Sequence, residues 1–67
     1  MKDPFPGVGT AEMKRRIMDA RLGIVDTQIA LMRLIDGAKY SDIGAACDCD
    51  RRTASRHMKD IIELLGN

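Results

Sequence analysis

Apolar residues recur at helical spacing near the start of the chain and predict a first helix. Its apolar positions fall on one helical face, at successive intervals of four, three and four residues: Met13, Ile17, Ala20 and Ile24. Thr10 can accept backbone N–H bonds as the N-cap, and Gly23 is a natural stop. We therefore predict a helix over about 11–22.

A second apolar segment follows and predicts a helix that lies at the centre of the domain. Asp26 or Thr27 can cap its N-terminus, and Gly37 can end it. Large aliphatic residues cover most of its circumference: Ile29, Leu31, Met32, Leu34 and Ile35. A helix that is apolar on most sides is expected to be buried on most sides.

The second half of the chain predicts a short helix, a turn and a longer helix. Ser41 can cap the short helix, whose inward positions are Ile43, Ala46 and Cys47. Residues 48–50 interrupt the apolar pattern, and Asp50 can cap a last helix that runs from about 51 to 65 before Gly66.

The element pattern predicts an all-α domain, a compact bundle of about four helices. No segment alternates between apolar and polar residues with period two, so strands are not expected. Residues 1–9 contain both prolines and predict a flexible N-terminal arm, which leaves 10–67 as a helix-turn-helix domain. In such a domain the longer helix enters the major groove of DNA.

The two faces of the last helix differ in the way that this function requires. Ala54, Met58, Ile61 and Leu65 share one side, which should be core, whereas the other side is polar and contains Arg52, Arg56, Lys59 and Glu63. Arginine can bind guanine through two hydrogen bonds, and Lys59 lies one turn later, where phosphate is the expected partner. The alternative is that these long cations only solvate an exposed helix face.

The second half of the chain, over about 27–66, resembles the LuxR/GerE-type helix-turn-helix, to which sigma-factor region 4 is related. The resemblance lies in residues 34–37, 40–44, 52–58 and 61–66, and the positions in register are Gly37, Ile43, Thr53, His57, Leu65 and Gly66. It implies regulation of transcription through binding to double-stranded DNA. It also implies that DNA contacts come from Arg51, Arg52, Ser55, Arg56 and His57.

One recognition helix reads only a few base pairs, so we expect a homodimer on a symmetric site. The expected interface combines the first helix with the C-terminal turn, where Ile62 and Leu64 cannot both face one core.

Composition bounds these expectations. The chain has 67 residues, which is enough for one small domain. Its formal net charge is only +1, so it is not a polycation that would bind nucleic acid through its overall charge. With no long apolar run, we expect a cytoplasmic protein with no membrane partner. The near-neutral charge leaves open another function, that of a small adaptor that binds transcription machinery or another regulator without contacting DNA.

Catalysis, cofactors and metals are not expected. Cys47, Cys49 and His57 are possible zinc or copper ligands, but their spacing is not that of a zinc finger. Both cysteines are expected to pack as small core residues. His57 has no evident nucleophile to activate, so the chain is not expected to be an enzyme.

Overall fold

The structure, a computed structural model, describes residues 7–66, so most of the arm predicted over 1–9 lies outside the described residues. The described part of the chain forms four helices: α1 over Thr10–Asp19, α2 over Ile24–Ala30 with a π-helical continuation over Leu31–Ile35, α3 over Tyr40–Ala46, and α4 over Arg51–Gly66. No strand occurs among these residues. The predicted all-α bundle of about four helices is confirmed.

Helix α1 starts and ends earlier than the pattern predicts. Gly9 is its N-cap in place of Thr10, and the Gly9 carbonyl accepts a hydrogen bond of 2.9 Å from the Met13 N–H. The helix stops at Asp19 because Arg21 turns into the left-handed region, with a φ of 52°. The chain therefore leaves the helix before Gly23 is reached.

Helix α2 begins at Ile24, so the prediction that Asp26 or Thr27 caps it is wrong. The N-cap is Gly23, whose φ of 92° is readily available only to glycine. Its carbonyl accepts a hydrogen bond of 2.9 Å from the Thr27 N–H. This early start removes Ile24 from the stripe of α1 and leaves its side chain 89% exposed.

The end of the second helix widens into a π-helical turn that the sequence pattern did not predict. The Asp36 N–H donates to the Leu31 carbonyl over 3.2 Å, five residues back. Gly37 then takes a φ of 69°, as expected for a residue that ends a helix. Helices α1 and α3 both pack on this turn, and α4 packs on α2, so this segment has the predicted central position. Its residues Leu31, Met32, Leu34 and Ile35 are only half-buried, so the expectation that it is buried on most sides is wrong for this turn.

The core lies where the four helices meet. Its buried members are Met13, Ile17, Ile29, Ala30, Ile43, Ala54, Met58 and Ile61.

In α3 the structure corrects two predictions. The helix starts at Tyr40 after an N-cap at Lys39, because the Lys39 carbonyl accepts from the Ile43 N–H, and Ser41 is not its cap. Gly44 is buried, whereas Ala46 is exposed.

The side chains of α4 follow the predicted division into two faces. Ala54, Met58 and Ile61 are buried, and Leu65 is half-buried against the core. Near the C-terminus Ile62 also packs against the core, and Leu64 is the exposed member of the pair, at 60%. No helix of residues 7–66 is long and apolar enough to cross a membrane.

Candidate nucleic-acid interface

The connection between α3 and α4 is short and hydrogen-bonded. The Cys49 N–H donates to the Gly44 carbonyl over 2.8 Å, and Asp48 takes a left-handed φ of 57°, which aspartate tolerates better than most residues. A side chain at Gly44 would meet the Cys49 carbonyl oxygen, so the connection passes directly over this glycine. This close approach fixes where α4 starts relative to α3.

Asp50 caps α4, as predicted. Its Oδ1 accepts a hydrogen bond of 2.7 Å from the backbone N–H of Thr53. Hydrogen bonds from the side chain and the backbone of Thr53 hold the pKa of Asp50 below its usual value, and the nearby Arg56 adds to this effect. The cap places the first turn of α4, with Arg51 and Arg52, at the solvent-exposed end of the bundle.

Loss of this cap should lower the stability of the domain. We expect Asp50→Ala to lower the Tm by about 5 °C, since α4 loses a bonded N-cap. Folding lowers the pKa of Asp50 below its ordinary value of 3.8. The charge of Asp50 therefore stabilises the fold at pH values above about 3.8, and this stabilisation is lost as the pH falls through the lowered pKa. Asp50→Asn keeps a capping side chain but removes the charge. This variant should therefore be less stable than the wild type at neutral pH and equally stable at low pH, where Asp50 of the wild type is protonated.

Thermal unfolding followed by circular dichroism between pH 2 and pH 7 measures both effects. Asp60→Ala is the matched control, because it removes an exposed carboxylate from the same helix without touching the cap. A Tm for Asp50→Ala equal to that of the wild type would show that the cap does not stabilise α4.

The outward face of α4 presents a cationic ridge, defined by Arg52, Arg56 and Lys59. All three residues are exposed. Within residues 7–66, the side chains of Arg52 and Lys59 form no hydrogen bond or ion pair. Their positive ends therefore remain available to an outside partner. Arg51 and Ser55 are also exposed, on the flank of α4 that faces α3.

Helix α1 carries a second basic cluster, Lys14, Arg15 and Arg16, but an acidic neighbour offsets part of its charge. Glu12 binds Arg15 at 3.0 Å and Arg16 at 3.3 Å. The hydrogen bond from Arg16, followed by the charge of Arg15, lowers the pKa of Glu12. Of the two basic clusters in the sequence, the one on α4 is therefore the stronger candidate for binding an anion.

Packing of α3 beside α4 widens the basic site beyond the residues predicted from the sequence. We call this the cationic groove; its lining residues are Lys39, Tyr40, Ser41, Arg51, Arg52, Ser55 and Arg56. Lys39, Tyr40 and Ser41 were not predicted as site residues, because only the packing of the two helices brings them to Arg51. A basic residue directly before the short helix was the one signal in the sequence.

Tyr40 is held in place from the side of the π-helical turn. The Arg33 guanidinium lies over the Tyr40 ring, 4.3 Å from its centroid, and one of its nitrogens donates to the Ala38 carbonyl over 3.0 Å. This is a cation–π contact supported by a hydrogen bond. These contacts help to position Tyr40 in the wall of the cationic groove on the α3 side.

The other flank of α4 faces α2 and is partly acidic. The Nδ1 of His57 lies 2.7 Å from Oδ1 of Asp26, so this predicted DNA-contacting residue ties α4 to the start of α2. Its Nε2 remains for an outside partner. Asp60 lies beside His57, and Glu63 follows on the outward face one turn beyond Lys59. These carboxylates limit the positively charged surface to the part of α4 that ends at Lys59.

The cysteines lie on the inner side of α3 and of the connection that follows it. Cys47 and Cys49 are half-buried and pack against the core, and burial raises the pKa of the Cys47 thiol. Among the described residues no three histidine, cysteine, aspartate or glutamate side chains come together in a metal-binding arrangement.

Comparison with known proteins identifies no relative of this chain. No protein-family model, curated protein or solved structure matches the chain.

Proposed function

We propose that the chain is a sequence-specific regulator of transcription that binds double-stranded DNA, with the first half of α4 in the major groove. The observation that supports this most is the cationic ridge. The side chains of Arg52 and Lys59 have no partner among residues 7–66, although they stand on a helix whose opposite face packs against the core. A rigid helix with unpaired cations is suited to a groove lined by phosphates.

The residues of the site have different roles in this proposal. Arg52 and Arg56 lie at the centre of the exposed face and reach base edges, where a planar guanidinium can bind guanine bidentately. Lys59 contacts a phosphate on one side, and Lys39 contacts another from the cationic groove. Arg51, Ser55 and the Nε2 of His57 complete the surface.

The resemblance of residues 27–66 to the LuxR/GerE-type helix-turn-helix supports the same proposal. In that family the helix equivalent to α4 is the one that touches DNA, and the activity is regulation of transcription. Because one such helix reads only a few base pairs, we propose that two copies bind a symmetric site.

Selection of bound sequences from a random duplex pool tests the proposal directly. We expect an enriched motif with two-fold symmetry. The affinity for the selected duplex should fall with salt, with a slope of log K against log salt of about −2 per chain, because Lys59 and Lys39 each contact one phosphate. A shuffled duplex of equal length is the control and should bind more weakly at every salt concentration.

Two results would contradict the proposal. One is the absence of any enriched motif, and the other is duplex binding that does not change with salt. Either result would favour the second interpretation of the sequence, a small adaptor that binds transcription machinery or another regulator.

A further inference from the structure

A hydrogen bond between His57 and Asp26 joins the exposed flank of α4 to α2. The two side chains are 45% and 30% exposed, and Nδ1 of the imidazole lies 2.7 Å from Oδ1 of the carboxylate. An ionised carboxylate only accepts hydrogen bonds, so the ring must donate through a proton on Nδ1. Asp26 therefore determines which nitrogen of the neutral His57 ring carries the proton.

The bond to Asp26 leaves the second ring nitrogen, Nε2, for an outside partner. When the proton of a neutral imidazole is on Nδ1, Nε2 can only accept hydrogen bonds. The oxygens of a DNA phosphate also only accept, so neutral His57 cannot bind a phosphate through Nε2. The imidazolium has a proton on each nitrogen and can donate to Asp26 and to a phosphate at the same time.

The location of His57 favours a phosphate over a base edge as its partner. Arg52 and Arg56 lie at the centre of the exposed face of α4, whereas His57 lies on the flank that faces α2. A helix in the major groove has a DNA backbone along each flank, so side chains on a flank reach phosphates.

We propose that Asp26 is a positioning residue of the DNA site, and that His57 takes up a proton from solvent when it binds a backbone phosphate through Nε2. The proton forms an N–H bond at Nε2, which donates a hydrogen bond to a phosphate oxygen. This inference rests on the proposed function and adds a regulatory property to it: the chain binds DNA more tightly as the pH falls.

The charges around His57 suit an imidazolium that bridges two negative groups. Helix α2 packs against this flank, and Asp26 is its one charged residue. On α4 itself, Arg56 and Asp60 lie beside the ring. Bound DNA adds a phosphate at Nε2, and each negative group favours the protonated ring. The positive charge of Arg56 acts in the opposite direction, but the two carboxylates and the phosphate outnumber it.

The composition of the chain makes this proton easy to follow. His57 is the only histidine, and histidine is the side chain that ordinarily changes its charge near neutral pH. The phosphodiester groups of DNA keep their charge over the same range. A change in affinity between pH 6 and pH 8 that disappears with His57 therefore reports on its imidazole.

Fluorescence anisotropy with the selected duplex, at constant ionic strength between pH 6 and pH 8, tests the inference. The affinity of the wild type should rise about fivefold as the pH falls across this range, since uptake of one proton changes an affinity by at most about tenfold per pH unit. His57→Gln has a polar side chain that does not titrate, so its affinity should not change with pH. A wild-type affinity that is independent of pH would overturn the inference, and so would a pH dependence that persists in His57→Gln.

Asp26→Asn tests the positioning role. Asparagine removes the negative charge, and its amide can either accept from Nδ1 or donate to it, so Nδ1 is no longer forced to carry the proton. We expect the affinity of this variant to change by less than twofold between pH 6 and pH 8. Circular dichroism at both pH values should show a folded domain.

Asp60→Asn is the matched control. It removes a carboxylate beside His57 that forms no hydrogen bond with the ring. We expect this variant to keep the pH dependence of the wild type. If Asp26→Asn keeps it as well, Asp26 does not position the imidazole for DNA and the inference is wrong.

Nitrogen-15 NMR of the single imidazole separates this inference from the proposed function, because it needs no DNA. At pH 8 the free wild type should have its ring proton on Nδ1. A ring proton on Nε2 would overturn the inference whether or not the chain binds a duplex. Duplex binding that depends on salt but not on pH would overturn the inference alone, whereas the absence of duplex binding at every pH would overturn the proposed function with it.

Discussion

Replacing Arg52 or Arg56 by alanine is expected to abolish sequence preference while leaving the fold intact. A bidentate contact with a base contributes about 1–3 kcal/mol of discrimination, so each variant should lose about 5- to 150-fold in affinity for the selected site. Both side chains are exposed on the face of α4 opposite the core. The Tm should therefore stay close to that of the wild type.

Fluorescence anisotropy with the selected duplex and a shuffled duplex measures this loss. Lys59→Ala should weaken binding to both duplexes equally, because a phosphate contact carries no sequence information. Arg15→Ala is the control on α1, where the side chain is 71% exposed and pairs with Glu12. It should leave the preference unchanged. Wild-type preference in an Arg52→Ala, Arg56→Ala double variant would refute the assignment of α4 as the recognition helix.

The pattern of apolar residues predicted the helices and the faces of α4 because those features depend on local periodicity. Met58 and Ile61 are buried where the spacing placed them. Asp50 was also predictable, since an N-cap acts through a hydrogen bond to a residue only three positions away. These features are set by residues close together in the chain.

The starts of the other helices were mispredicted because their caps are backbone groups. Thr10, Ser41 and the Asp26–Thr27 pair all have side chains suited to capping, yet the helices begin at or before these residues. At α2 the decisive residue is Gly23, whose positive φ starts the helix early and exposes Ile24. A rule based on capping side chains does not detect a start of this kind.

The remaining features of the site arise from packing between distant segments. Lys39 and Tyr40 belong to the cationic groove only because α3 lies against α4. His57 was predicted to contact DNA, but its bond to Asp26 spans 31 positions in sequence. No local pattern predicts such pairs, although the residue types at both ends were visible.

Gly44→Ala should destabilise the domain more than any other small substitution in the turn region. An alanine Cβ here would lie 2.6 Å from the Cys49 carbonyl oxygen and 3.1 Å from the carbonyl carbon of Asp50. These are backbone atoms of the α3–α4 connection, so a side-chain rotation cannot relieve the overlap. The connection must move, and overpacking of this kind costs about 1–3 kcal/mol.

Because a second effect of Gly44→Ala acts in the opposite direction, the sign of the measured change in stability shows which effect is larger. Alanine favours a helix over glycine by up to about 1 kcal/mol, so without the overlap Gly44→Ala would stabilise α3. We expect the overlap to be the larger effect, with a net loss of about 1–2 kcal/mol in urea unfolding. Gly66→Ala is the matched control, since no atom lies within 4 Å of its Cβ position.

The same substitution links the turn to DNA binding. Movement of the connection displaces the Asp50 cap and with it the first turn of α4, so that Arg51 and Arg52 shift relative to Lys39. Gly44→Ala should therefore lose affinity for the selected duplex at 25 °C even where circular dichroism shows a folded domain, and Gly66→Ala should not. A Gly44→Ala variant as stable as the wild type would mean that the connection yields freely. The spacing of α3 and α4 would then not depend on this glycine.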